Sequence, residues 1–328
     1  MTTYKDIHGT QVEVRADDPS NPVNGQIWYN TTAKKLRGRT VNPTAAWSSG
    51  GNLNLARQKL NGAGASNTAA LAFGGDVNGS SIKNETEKYN GTAWTEVNNL
   101  NLARKDFGGS GIQTSAIAVA GQSPGGATVN VETFNGTSWA EVANVNTVRN
   151  LLAATGADNT AALGIAGTLA NGNHTAIVEL WNGSGWTEVG DLNTVRYSTG
   201  AVGTSAAALS FGGNVPPNNA TNVTELWNGS SWTELNNLNT AREAMGTGGT
   251  STAALSFGGG PPATANTESW NGTSWTEVNN LATARFLPGG AGTTTSAAAF
   301  GGAPPAAGLV NTEEWNEPFG STQEFDLS

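Results

Sequence analysis

The 328-residue chain contains no cysteine, which removes disulfides, thiolate metal sites and a cysteine nucleophile together. It has two histidines, His8 and His174, and neither stands near a second metal ligand at a recognisable spacing. Any Ser/His/Asp triad would have to form around one of these two, and His174 lies in "NGNHT", which reads as an ordinary connecting turn. No apolar run approaches the ~20 residues of a membrane span, and "MTTYKDIHG" lacks the apolar region of a signal peptide. Synthesis in the cytoplasm without membrane insertion is therefore expected. Walker-type and dinucleotide fingerprints are missing, and the glycine pairs end apolar runs without opening helices. No repeated segment has the length or 3.6-residue period of a helix.

Charge is sparse and uneven. Residues 1–105 carry twelve Lys/Arg against eight Asp/Glu, a balance of +4, whereas 106–328 carry four against seventeen, a balance of −13. Together these give the net −9, and no lysine follows Lys105. So acidic a chain is a poor nucleic-acid ligand, since phosphate backbones want a basic patch.

What is present is repetition. "WNGTSWTEVNNLATAR" at 270–285 has relatives beginning at Tyr89, Phe134, Trp181 and Trp227. Each copy ends in an arginine ten residues after its second tryptophan (Trp94, Trp139, Trp186, Trp232, Trp275). Arg57, Arg104, Arg149, Arg196, Arg242 and Arg285 are thus spaced 47, 45, 47, 46 and 43 residues apart, a period that suits a four-stranded repeat unit. Between one arginine and the next signature lie a small-residue stretch, an alanine-rich apolar run ending in glycines such as "TAALSFGG" at 252–259, and an alternating stretch such as "NVTELWN". Runs of this length bounded by Gly and Asn read as strands, and Asn-Gly between two of them is a strong hairpin signal.

The order of arginine, apolar strand, Gly-Gly, aromatic and a second Trp five residues on resembles the kelch repeat, over roughly residues 46–316. The resemblance implies a β-propeller built of four-stranded sheets. Trp315 lacks a following partner, whereas Trp47 stands ten residues before Arg57 with no strands ahead of it. The expected fold class is therefore all-β: a six-bladed kelch-like β-propeller over 46–316, closed by pairing the N- and C-terminal parts of the chain in the last blade. A short N-terminal β-hairpin arm (1–45) precedes it and a C-terminal tail (317–328) follows.

Residues fixed in every copy are expected to hold the frame. The tryptophans should fill gaps between blades, with an aromatic sugar platform as the alternative. Glu87, Glu132, Glu179, Glu225, Glu268 and Glu313 recur just before the first aromatic and match the arginines in number, which suggests bridges between strands or blades; a catalytic or phosphate-binding ring of arginines is the alternative. The stretch after each arginine is nearly all small, as six strands converging on one axis require. The Asn-Gly-Thr/Ser triplets from Asn90 to Asn271 match the N-glycosylation sequon, but the hairpin chemistry alone demands them.

Six irregular stretches, 76–84, 122–130, 168–176, 214–222, 260–266 and 303–311, should link the second and third strands and crowd one end, as a recognition rim or as plain turns. In the arm, "QIWY", "NTTA" and "KKLRGR" predict a hairpin that resembles a short GxIWYNTT element of bacteriophage virion proteins, tail fibres especially. Ile27, Trp28 and Tyr29 are expected to need cover from elsewhere, and Lys34, Lys35 and Arg37 form a basic cluster that is either a solvated face or a docking surface, so these six are the candidate anchoring residues. The two resemblances imply a virion component of a bacteriophage, located in the particle and bound to other virion proteins through its arm. Its propeller would act as a protein-binding display module or, alternatively, recognise host surface glycan. Copper-radical chemistry of the kelch-type oxidases would need a cysteine and several histidines. A glycoside hydrolase needs only two carboxylates, but most acids here sit at repeat positions, so a non-enzymatic role without a cofactor or metal is expected.

Overall fold

A computed structural model of the chain describes residues 12–20, 26–41, 45–303, 308–317 and 320–325. The described residues form strands and turns, with no helix among them. Two compact units divide the chain: Ala46–Asn316, and Met1–Ala45 together with Glu317–Ser328.

The larger unit contains six antiparallel sheets of one pattern, an arrangement compatible with a β-propeller. In the first sheet Asn61–Ser66, Ala69–Phe73, Thr86–Tyr89 and Trp94–Val97 pair in chain order. The sixth is made of Gly289–Gly292, Ser296–Phe300 and Thr312–Asn316, and its fourth strand is Ala46–Ser49, where Trp47 lies opposite Trp315. The third differs by an added pair, Arg149–Asn150, against the long strand Ala161–Leu169. First strands are made of small residues because each lies against its neighbour: Asn61–Ser66 touches Gly108–Ile112, and the contacts continue through Ala153–Asp158, Gly200–Gly203, Gly246–Thr250 and Gly289–Gly292 back to Asn61–Ser66. A Cβ on Gly62 would stand 2.3 Å from the carbonyl oxygen of Gly290.

The tryptophans join sheet to sheet. Nε1 of Trp94, Trp139, Trp275 and Trp47 donates to a threonine hydroxyl on the third strand of the preceding sheet: Thr312, Thr86, Thr224 and Thr267, at 2.9–3.0 Å. Each of these rings also packs 4.7–4.9 Å from a phenylalanine of that sheet, as Trp275 does with Phe211. In the second and third sheets the threonine position holds Val131 and Val178, so Trp186 and Trp232 turn instead to the carbonyls of Ala143 and Gly190. All five tryptophans expected in the gaps are buried, which removes them as sugar platforms.

Between sheets the chain is clamped by the arginines. Every register arginine is 0–1% exposed and pairs with the register glutamate 26–30 residues later, on the third strand of the sheet it introduces. Its other terminal nitrogen serves two carbonyls of that sheet; for Arg196 these belong to Gly212 and Val223. The second carboxylate oxygen accepts the main-chain N–H and side-chain amide of an asparagine three residues before the arginine, as Glu225 does from Asn193 at 2.7 and 2.8 Å. That amide also reaches the carbonyl of Trp232. In the sixth sheet the asparagine position holds Ala282, and only its N–H reaches Glu313. Burial pushes the arginine pKa values down and the facing carboxylates push them back up, so both partners depend on the pairing.

The Asn-Gly turns close the outer hairpins: each Asn side-chain oxygen accepts the N–H groups two and three residues on, as Asn271 does from Thr273 and Ser274, with Gly272 at φ 92°.

In the smaller unit Ile27–Asn30 and Lys35–Val41 form the expected hairpin, but they belong to a four-stranded sheet with Glu13–Arg15 and Gly320–Phe325. The segment expected to be a C-terminal tail thus contributes a strand, antiparallel to Lys35–Val41, and 1–45 and 317–328 are one unit. Trp28 is fully buried and its Nε1 donates to Asp18 Oδ1, which also accepts from Asn30; Arg37 pairs with the same carboxylate. These donors hold the Asp18 carboxyl below its usual range, hydrogen bonds from Asn30 and Trp28 first. Trp28 and Arg37 are therefore internal members of this element. Ile27 and Tyr29 are half-buried, and Lys34 and Lys35 are exposed.

Two substitutions weigh the clamp. Glu225→Ala strands a buried guanidinium and should cost about 3–5 kcal/mol, read as a lowered Tm. Ala282→Asn restores the missing amide between Glu313 and the Trp47 carbonyl and should add about 1 kcal/mol.

Candidate functional site

The residues that do not repeat gather at one end of the larger unit. The two positions after each register arginine read Gln58-Lys59, Lys105-Asp106, Asn150-Leu151, Tyr197-Ser198, Glu243-Ala244 and Phe286-Leu287, and no two copies share a pair.

The first residue of each pair bridges, main chain to main chain, to the head of an irregular stretch: Gln58 to Asp76, Lys105 to Gln122, Asn150 to Thr168, Tyr197 to Asn214, Glu243 to Gly260 and Phe286 to Ala303. All six stretches are thereby drawn to this end. Three fold back as two-stranded hairpins, beginning at Asp76, Gln122 and Asn214, while 168–176 continues its flanking strands as a longer hairpin. Residues 304–307 of the sixth stretch lie outside the described residues.

The second residue of each pair is left-handed, with φ of 51–57° at Lys59, Asp106, Leu151, Ser198, Ala244 and Leu287. Each donates its N–H to the carbonyl of its counterpart in another sheet: Asp106 to Lys59, Leu151 to Asp106, Ser198 to Leu151, Ala244 to Ser198, Leu287 to Ala244 and Lys59 to Leu287, at 2.7–3.4 Å. The six bonds form a cycle, and a left-handed backbone at a non-glycine residue is a strain that persists only where surrounding structure imposes it. A cavity of about 90 Å³ lies within this cycle, lined by its six residues together with others such as Phe107, Met245 and Pro288. A second space of about 100 Å³ adjoins it, walled by first-strand residues including Gly62, Gly109 and Gly246.

Charges cluster on one side of the mouth. The Asp106 side chain is 5% exposed; its Oδ2 stands 3.4 Å from Lys59 Nζ and its Oδ1 has no hydrogen-bond partner. Burial raises the Asp106 pKa, against the pull of Lys59 and Lys105. Lys105 Nζ is held by Asp76 Oδ2 at 2.9 Å and the Gly79 carbonyl at 3.0 Å, which ties down the 76–84 hairpin. Across the mouth the rings of His174 and Tyr197 stack with centroids 4.1 Å apart, Tyr197 bonds Asn218, and His174 Nδ1 meets Thr168 Oγ1. Burial lowers the His174 pKa and raises those of Tyr197 and Glu243. His174 thus opens a strand of the long hairpin and packs on its neighbour. Among the described residues no group of three or more His, Asp or Glu is placed to hold a metal.

Of the residues singled out from sequence, the arginines, glutamates and tryptophans fall in the clamps and sheet junctions, away from this mouth. Asp76 and His174 lie in the irregular stretches 76–84 and 168–176 singled out from sequence, whereas Lys59, Lys105, Asp106 and Tyr197 were missed. Their signal was a pair of positions after each arginine at which the copies disagree.

No protein-family model and no curated protein matches the chain. Among solved structures the chain is similar to YjhT, with a TM-score of 0.66 and 11% sequence identity over 83% of this chain and 99% of that one. At that identity the likeness speaks to the fold alone.

A buried carboxyl whose folded pKa is raised binds its proton more tightly in the folded state, so its contribution to stability falls as pH rises above the ordinary aspartate range. Asp106→Asn removes this cost. Its Tm should exceed that of the unmodified protein at pH 7 and the difference should shrink toward pH 3.5, as thermal melts across that range would record.

Proposed function

We propose that this chain is a non-enzymatic bacteriophage virion protein in which a six-bladed, closed, kelch-like propeller serves as a rigid binding module. The observation that carries the binding role is the division of labour along each repeat: repeated Arg, Glu and Trp are spent on clamps and junctions, while the side chains that differ between copies meet at the loop-bearing end. A frame held by identical parts leaves its loops free to differ. Six blades and closure are supported by the sequence of first-strand contacts, by the hydrogen-bond cycle, and by the pairing of Ala46–Ser49 with Thr312–Asn316. Pairing in this manner leaves no unmatched sheet edge between the two ends of the unit.

The virion assignment rests on the resemblance of the Ile27–Thr32 segment to an element of phage structural proteins. Docking on another virion protein falls to the smaller unit, with the exposed Lys34 and Lys35 as its basic contacts. Recognition of host surface glycan is the second reading, favoured by the polar groups around the axial cavity.

Electron cryo-microscopy of the particle tests the assignment. Ordered copies on the capsid or tail body are expected for a decoration or structural protein, copies at a fibre tip for the receptor reading, and a particle without the chain overturns both.

A further inference from the structure

We infer that the turn at Asn78-Gly79 is a site of spontaneous covalent modification, at which the asparagine closes on the following nitrogen and reopens as aspartate or isoaspartate. This chemistry needs only the geometry of one turn and stands apart from the virion and binding readings.

The chain contains nine Asn-Gly pairs, of which eight lie within the described residues. A glycine has no Cβ to shield its nitrogen, so that nitrogen can reach the asparagine Cγ whenever the side chain is free to turn toward it. The fold decides which side chains are free. In the five outer hairpins Oδ1 of Asn90, Asn135, Asn182, Asn228 and Asn271 accepts two main-chain N–H groups at 2.9–3.0 Å. Asn61 is held at both ends of its amide, by the Gly62 N–H at 3.0 Å and the Phe107 carbonyl at 2.9 Å. Asn171 Oδ1 accepts the Asn173 N–H at 3.0 Å. Asn78 differs from all seven, because its side-chain amide has no hydrogen-bond partner among the described residues. It is exposed, as are Gly79, Ser80 and Ser81, at the tip of the hairpin that begins at Asp76. Asn78 and Gly79 are both left-handed, with φ of 56° and 77°, and the Ser80 N–H reaches the Val77 carbonyl only at 3.4 Å, a length that restrains the turn weakly.

The Gly79 nitrogen attacks Asn78 Cγ and loses its proton to solvent base, and the Cγ–Nδ2 bond breaks as Nδ2 leaves with that proton's equivalent as ammonia. Water then adds to the cyclic imide. Opening at the side-chain carbonyl gives aspartate, and opening at the main-chain carbonyl gives isoaspartate, in which the chain runs through the former side chain. Gly79 N–H donates to Asp76 Oδ1 at 3.2 Å. That bond lies in the peptide plane, whereas attack uses the face of the nitrogen, so it leaves the reaction open. Either product sets a negative charge one residue from the Gly79 carbonyl that Lys105 Nζ holds at 3.0 Å. Isoaspartate also lengthens the main chain of the turn by one methylene, which loosens the hairpin that Lys105 ties to the loop-bearing end.

Folded full-length protein would be incubated at neutral and mildly alkaline pH in water enriched in heavy oxygen, then digested and mapped by mass spectrometry. The tryptic peptide 60–83 contains both Asn61 and Asn78, so its fragment ions compare an anchored and an unanchored pair in one molecule. Asn78 should convert several times faster than any of the seven anchored asparagines, faster at the higher pH, and to both acids. In denatured protein the lead should vanish. Conversion of an anchored asparagine ahead of Asn78, an Asn78 that stays an amide in the folded protein after the denatured protein has converted, or a lead that persists unchanged on denaturation overturns the inference.

Discussion

A guanidinium and a carboxylate taken out of water together organise the larger unit. Each ion pair is buried on both sides and would be unfavourable alone, because desolvating two charges costs several kcal/mol. It survives because the terminal guanidinium nitrogens and both carboxylate oxygens have defined partners, although Nε of Arg57, Arg149, Arg196 and Arg242 is buried without one. The arginine serves two main-chain carbonyls as well as the glutamate, and the glutamate takes the amide and N–H of an asparagine from the incoming chain. The pair therefore fixes three things at once: the path of the connection, the third strand of the sheet and the end of the second. Six copies make the same choice, which is why six connections of different sequence leave their sheets in the same direction.

The junctions between sheets show how strictly a buried polar group must be answered. Where a threonine stands on the preceding sheet, the tryptophan N–H takes its hydroxyl; where Val131 or Val178 stands, it takes a main-chain carbonyl. The ring keeps its place in both cases, because apolar contact sets its position and the hydrogen bond only satisfies its edge.

At the loop end the same frame has a different consequence. The cycle of six left-handed residues constrains the main chain tightly and the side chains hardly at all, since each points from an equivalent position with nothing equivalent required of it. Lys, Asp, Leu, Ser and Ala are all accepted there. A position where backbone geometry is imposed and chemistry is free is where a repeated fold can acquire an individual surface, and the charged side around Asp106 is what this chain has placed there.

By itself the sequence determined the all-β class, the four-strand unit, the matched Arg and Glu, and the pairing of Trp47 with the last sheet, because a repeated unit writes its requirements at a fixed period. Tertiary structure alone decided which groups meet across long separations. Trp47 and Thr267 are 220 residues apart, and the asparagine that completes five of the six clamps belongs to the chain leaving the preceding sheet, so neither partnership has a local signal. Gly320–Phe325 carries no clear alternation and pairs with a strand near the other end of the chain, which is why it read as a tail. The mouth was hidden for the opposite reason. Its residues share no pattern, and only folding, by closing six connections into one hydrogen-bonded cycle, brings Lys59, Asp106 and Ser198 to a common cavity.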